Sequence, residues 1–129
     1  VFEGCSRILK KSGSIYLVLN HPCFRVLKNS SWGWDEENKV QYRRIDSYLS
    51  ESKEKIEMHP GDKKSERTIS FHRSLQVWGK FIDKSGLCIK RIEEWTSDRE
   101  SEQGPRSKAE NIARKEIPLF LYLKLIKSP

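Results

Sequence analysis

Apolar residues fall near the two ends of the chain and thin out between them. Residues 2–10 (FEGCSRILK) place Phe2, Cys5, Ile8 and Leu9 at helical spacing, which predicts one apolar helix face. Lys10 and Lys11 suit a helix C-terminus, and Gly13 suits a left-handed stop. Ile15 to Leu19 are five apolar residues in a row, which predicts a strand covered on both faces. Pro22 cannot continue a ladder and ends it. In residues 74–85, Leu75, Trp78, Phe81 and Ile82 again follow helical period, and Gly86 ends that helix. Residues 88–95 (CIKRIEEW) predict a strand with polar interruptions, as near a sheet edge. Ser107 and Glu110 have the spacing of a capping box for a helix to about Ile117, where Pro118 stops it. Residues 119–126 (LFLYLKLI) are the most apolar run and predict a central strand.

Residues 23–73 differ in character. Trp32-Gly33-Trp34-Asp35 reads as a loop or turn. Extended runs are expected over 40–49, 54–59 and 67–72, with hairpin turns at 50–53 and 60–66. The order is helix, strand, antiparallel insert, helix, strand, helix, strand. That order resembles one half of a doubly wound α/β sheet. The last strand is more apolar than 88–95, so it is expected inside the sheet, leaving 88–95 at the edge. A length of 129 residues allows one domain, with 23–73 as an insert within it.

Composition adds constraints. With 36% hydrophobic and 33% charged residues, the core must be thin. A net charge of +7 and a pI near 9.4 fit either an anionic partner or a lysine-rich solvated surface. Cys5, Cys23 and Cys88 are odd in number and lack CxxC spacing, which points to a reducing, cytoplasmic setting. No apolar run approaches the roughly 20 residues of a membrane span, so no membrane partner is expected. The chain opens on Val1 already inside a helical pattern, as a piece trimmed from a longer protein would.

Candidate chemistry concentrates after the first strand and in the insert. Asn20, His21 and Cys23 follow the carboxyl end of strand 15–19, the end that faces the ligand crevice in open α/β sheets. There His21 is either a general base or a packed turn residue. His21, Cys23, His59 and His72 are possible zinc ligands, but their spacing matches no standard finger, and no metal is expected. Trp32, Trp34, Tyr42 and Tyr48, interleaved with Arg25, Arg43, Arg44 and Arg73, form either a cradle for a planar anion or the insert's own small core. Tyr48 and Trp78 suit the core. Trp34, Asp35, Arg43 and Arg44, with Asn20, His21, His72 and Arg73, form the candidate substrate-binding set. Glu93 and Glu94 are adjacent on a strand, point to opposite faces, and so are no catalytic dyad.

One resemblance covers nearly the whole chain. Arg7-Ile8-Leu9-Lys10-Lys11-Ser12-Gly13-Ser14-Ile15 looks like the "R-x-L-K-x-G-G" corner of class I S-adenosylmethionine-dependent methyltransferases, with Ser14 in place of the commoner second Gly. NHPCFR (20–25), SSWGWDE (31–37), QYRRIDSYL (41–49), MHPG (58–61), SFHRSL (70–75), EEWTS (93–97) and AENIARKEIPLFL (109–121) resemble an uncharacterised bacterial and archaeal subgroup of that family. The resemblance implies the C-terminal part of a Rossmann-like sheet whose last strand is antiparallel and lies between the two before it. It implies that the segment after strand 15–19 lines the substrate pocket. It also implies that S-adenosylmethionine is held mainly by an N-terminal half with a Gly-rich turn. The 7 glycines here form no such turn, so no cofactor-binding residue is expected in this chain, which alone should be inactive. A small basic module for nucleic acid is the alternative. Half a sheet would leave the edge at 15–19 open, which predicts a homo-oligomer.

Overall fold

The computed structural model of the chain describes residues 1–57 and 66–129. The expected turn at 60–66, the MHPG segment and His59 therefore fall wholly or largely outside the described residues. The elements run α1 (Phe2–Ile8), β1 (Ile15–Asn20), β2 (Ser30–Asp35), β3 (Val40–Ile45), β4 (Ser52–Glu57), β5 (Arg67–His72), α2 (Leu75–Lys84), β6 (Leu87–Trp95), α3 (Ser107–Glu116) and β7 (Phe120–Lys127). Three strands form a sheet of order β1-β7-β6, and β2-β3 and β4-β5 are separate two-stranded hairpins. The chain is thus α/β, and β7 runs antiparallel to both of its neighbours.

The sheet owes its centre to period-two leucines. Leu121, Leu123 and Leu125 are buried on one face of β7. They sit opposite Leu19, Leu17 and Ile15 of β1. Ile82 of α2 and Leu87 of β6 complete that core, with Phe2 and Leu9 packed against it. Burying each such side chain stabilises by about 1.5–3 kcal/mol. β6 is the outer strand. It carries a bulge between Ile89 and Arg91 and a row of charges, two devices that discourage pairing at an edge.

Several local expectations are corrected. β1 is covered on one face only: Tyr16 and Val18 are 60% and 56% exposed, because both helices that pack on the core lie on the leucine side. Ile8 is 79% exposed, since α1 stops there and turns only Phe2 and Leu9 to the core. In α2, Leu75 and Phe81 stay largely exposed, and Ile82 alone is buried. Gly86 does take the left-handed conformation (φ +67), whereas Gly13 does not. Gly13 sits close to its neighbours instead, since a Cβ there would lie 2.7 Å from Leu9 Cδ1 and 3.1 Å from the Lys10 carbonyl oxygen and would displace the leucine side chain. The capping box does not form. Arg106 is the N-cap of α3, and the Ser107 hydroxyl donates back to the Gly104 carbonyl at 2.8 Å.

The insert is corrected most. Trp32-Gly33-Trp34-Asp35 is a strand rather than a loop. Gly33 lies opposite Tyr42, and a Cβ there would fall 2.3 Å from the Tyr42 ring, so the ring lies over the glycine. The real turn is 36–39, where Asp35 accepts from the Glu37 and Asn38 amides at 3.0 and 2.9 Å. Lys39 supplies a left-handed φ of 53°. The segment 50–53 is no hairpin turn, because β3 and β4 belong to different hairpins.

Candidate functional site

β1 ends at a crevice of about 380 Å³, between its own carboxyl end and the hairpin β4-β5. Asn20, Arg25, Phe71, His72, Arg73 and Trp78 are among its walls. The crevice has a braced floor. The His21 amide donates to the Leu119 carbonyl at 2.9 Å, and the Phe24 and Arg25 amides turn back onto the His21 carbonyl at 3.1 and 2.8 Å. The His21 side chain is 2% exposed. Its Nδ1 accepts from the Cys23 amide at 3.2 Å, which leaves the proton on Nε2, 2.8 Å from Glu94 Oε1. Both ring nitrogens are thereby engaged, and His21 ties the end of β1 to the end of β6. Glu93 points the other way, to the Trp95 indole at 2.9 Å.

The opposite wall is set by His72 and Tyr48. His72 is buried, and its Nε2 donates to the Tyr48 carbonyl at 2.7 Å. The Tyr48 hydroxyl accepts from the Leu75 amide at 3.0 Å and from the Cys23 thiol at 3.6 Å. Burial pushes that phenol above its ordinary pKa, against the pull of the Leu75 amide. Tyr48 thus clamps the end of β5, the start of α2 and the turn after β1. Arg73 follows and lies over the Phe71 and Phe81 rings at 5.2 and 5.7 Å. Its Nε lies 3.3 Å from Glu51 Oε2 but finds no aligned hydrogen-bond acceptor. A second cavity, of about 450 Å³, adjoins the first and shares Leu19, Arg73 and Trp78 with it.

The sequence-derived set divides in two. Asn20, His72 and Arg73 line the crevice, and His21 sits behind it. Trp34, Asp35, Arg43 and Arg44 lie on the β2-β3 hairpin, outside the crevice walls. There arginines meet tryptophans. Arg43 lies 5.0 Å and Arg114 5.9 Å from the Trp32 ring, and Arg106 lies 4.6 Å from the Trp34 ring. Arg43 also donates to the Phe24 carbonyl at 2.8 Å and to Ser30 Oγ at 3.0 Å. Burial, followed by the nearby charge of Arg25, lowers its pKa. Arg44 pairs with Asp46 at 2.9 Å. Asp35 is a turn acceptor, and the Asn38 side-chain and backbone hydrogen bonds hold its carboxyl below the usual range. Phe71 also lines the crevice and escaped sequence reasoning, since adjacent strand residues point to opposite faces and its place beside His72 gave no signal. Trp78, expected in the core, also borders both cavities.

Among the described residues no three His, Cys, Asp or Glu side chains converge as a metal site requires. The three cysteines are free thiols. Among the described residues no helix is long and apolar enough to cross a membrane.

No protein-family model matches the chain, and no curated protein does. Solved structures do. One is a protein assigned as an S-adenosylmethionine-dependent methyltransferase from Listeria monocytogenes, with a TM-score of 0.66 and 23% identity over 99% of this chain and 54% of that one. Another is an S-adenosylmethionine-dependent methyltransferase from Mesorhizobium loti, with a TM-score of 0.63 and 22% identity over 96% of this chain and 52% of that one. The chain carries the fold of S-adenosylmethionine-dependent methyltransferases and spans about half the length of the solved structures it matches.

Proposed function

We propose that this chain is the substrate-side, C-terminal portion of an S-adenosylmethionine-dependent methyltransferase, with the insert 23–73 shaping the acceptor site. The observation that carries the reading is the sheet order β1-β7-β6 with β7 antiparallel, together with a walled crevice at the carboxyl end of β1. Within it the chain's residues position rather than activate. His21 and His72 spend ring nitrogens on structure, while Asn20, Arg25 and Arg73 line the space where an acceptor would be oriented. The methyl donor would be S-adenosylmethionine, held by a part of the longer protein that this chain lacks. The Rossmann-like character and cytoplasmic location belong to the same reading.

Calorimetry tests it. The 129-residue chain should show no micromolar binding of S-adenosylmethionine, and the longer protein that contains it should bind the cofactor and transfer its methyl group. Micromolar binding by the chain alone would refute the division of labour. Oligonucleotide binding that falls steeply with salt would favour a basic nucleic-acid module instead. The same reading leaves one edge of β1 without a strand partner among the described residues. We propose that residues 15–19 pair two copies there. A clean monomer by light scattering at high concentration would sink that part.

A further inference from the structure

The charges around the crevice are one-sided. Among the described residues on its walls, Arg25 and Arg73 carry the positive charge, and none is an aspartate or glutamate. Among the described residues Arg25 has no carboxylate partner and rests 5.2 Å from the Phe120 ring. Arg73 has Glu51 nearby, on a half-exposed side chain, but its buried Nε has no aligned acceptor. Arg43, fixed behind by Phe24 and Ser30, adds a third positive charge close to Arg25. Arg25, without a carboxylate among the described residues, and Arg73, whose Nε is not aligned with the Glu51 carboxylate, leave guanidinium donors available to an anion in the crevice. Leu19, Phe71 and Trp78 supply apolar wall, and about 380 Å³ is the size of a small-molecule site.

We propose that this crevice binds a compact organic carboxylate, with Arg25 and Arg73 holding the carboxylate and Phe71 and Trp78 flanking its apolar body. This rests on the methyltransferase reading only in naming that carboxylate as the methyl acceptor. The contacts to the anion are charge-assisted, and the planar guanidinium fork matches a carboxylate better than a lysine would.

Nitrogen–proton correlation spectra of the 129-residue chain, titrated with benzoate and with neutral benzamide, test the proposal. Benzoate should shift the Trp78 indole and the amides of Asn20 and His72, and benzamide should bind at least about tenfold more weakly. Arg25→Gln and Arg73→Gln should each weaken benzoate by about tenfold, and the corresponding lysine variants by less. Equal binding of benzamide, or shifts that map away from the crevice, overturns it. So does unchanged benzoate affinity in glutamine variants whose spectra remain native. If a glutamine variant loses its dispersed spectrum, the benzoate-to-benzamide ratio on the unaltered chain decides alone. The two readings fail separately. Benzoate binding with no methyl transfer by the longer protein would remove the methyltransferase reading. Methyl transfer indifferent to both arginine substitutions would remove the bound carboxylate as the methyl acceptor.

Discussion

The sheet and the insert are built on different physics. In β1-β7-β6, aliphatic side chains meet across the ladder and against α1 and α2, and the leucines of β7 are buried. On the half-exposed β2-β3 hairpin, arginines of the hairpin and of α3 lie on tryptophan rings, and a tyrosine is laid over a glycine. Aliphatic burial is non-directional and tolerates rearrangement. Cation–π pairs and buried hydrogen bonds demand one geometry and lose it when one partner goes. The crevice lies between the sheet and the other hairpin of the insert, with β1 behind it and β4-β5 in front. Its walls are therefore only as fixed as the hydrogen bonds of His21, Tyr48 and His72.

The largest test of that contrast strikes the sheet. Leu123→Ala should cost about 2–5 kcal/mol in a urea titration and unfold sheet and insert together, since the strand is central and the site cannot collapse. Independent loss of the sheet signal while the hairpins persist would show two folding units instead of one. Next is the junction. His21→Leu leaves the Cys23 amide without its acceptor and Glu94 without its donor, and should cost about 1–3 kcal/mol by thermal melting. Hydrogen exchange should rise at residues 20–25 before it rises in β7.

A smaller effect is expected within the insert. Arg43→Ala removes two hydrogen bonds and one ring contact and should cost about 1–2 kcal/mol. Faster exchange should stay confined to residues 24–45, and spread into the sheet would contradict the separation. The smallest effect concerns Asp35. Its folded pKa lies below its unfolded value, so its contribution is complete above the unfolded pKa. The contribution is lost as pH falls through the folded one, in the acid range below ordinary aspartate titration. The Asn38 amide shift should follow that transition, with the sheet resonances unmoved.

Much of the sheet was legible in the sequence, since a run as apolar as 119–126, interrupted only by Lys124, leaves few alternatives to a central strand. Gly86 was legible because only a glycine takes its left-handed turn without strain. The first hairpin was not. Trp32-Gly33-Trp34 carries turn-like punctuation, and only the Tyr42 ring across the ladder makes a glycine acceptable there. The lining of the crevice was half legible. Position after β1 pointed to Asn20, and the polar run at the end of β5 pointed to His72 and Arg73. Residue type alone drew in Trp34, Arg43 and Arg44, whose partners turn out to be Arg106 at the start of α3, the Phe24 carbonyl with Ser30 and Trp32, and Asp46.

By itself the sequence determined which segments become strands and helices of the sheet, through local period and hydrophobicity. The tertiary structure alone decided which arginines face the crevice. A side chain's period states the face it occupies, but its free energy depends on what folds across from it. Arg43 met a backbone carbonyl and an indole, whereas Arg25 and Arg73 came to line the crevice, Arg73 with Glu51 beside it.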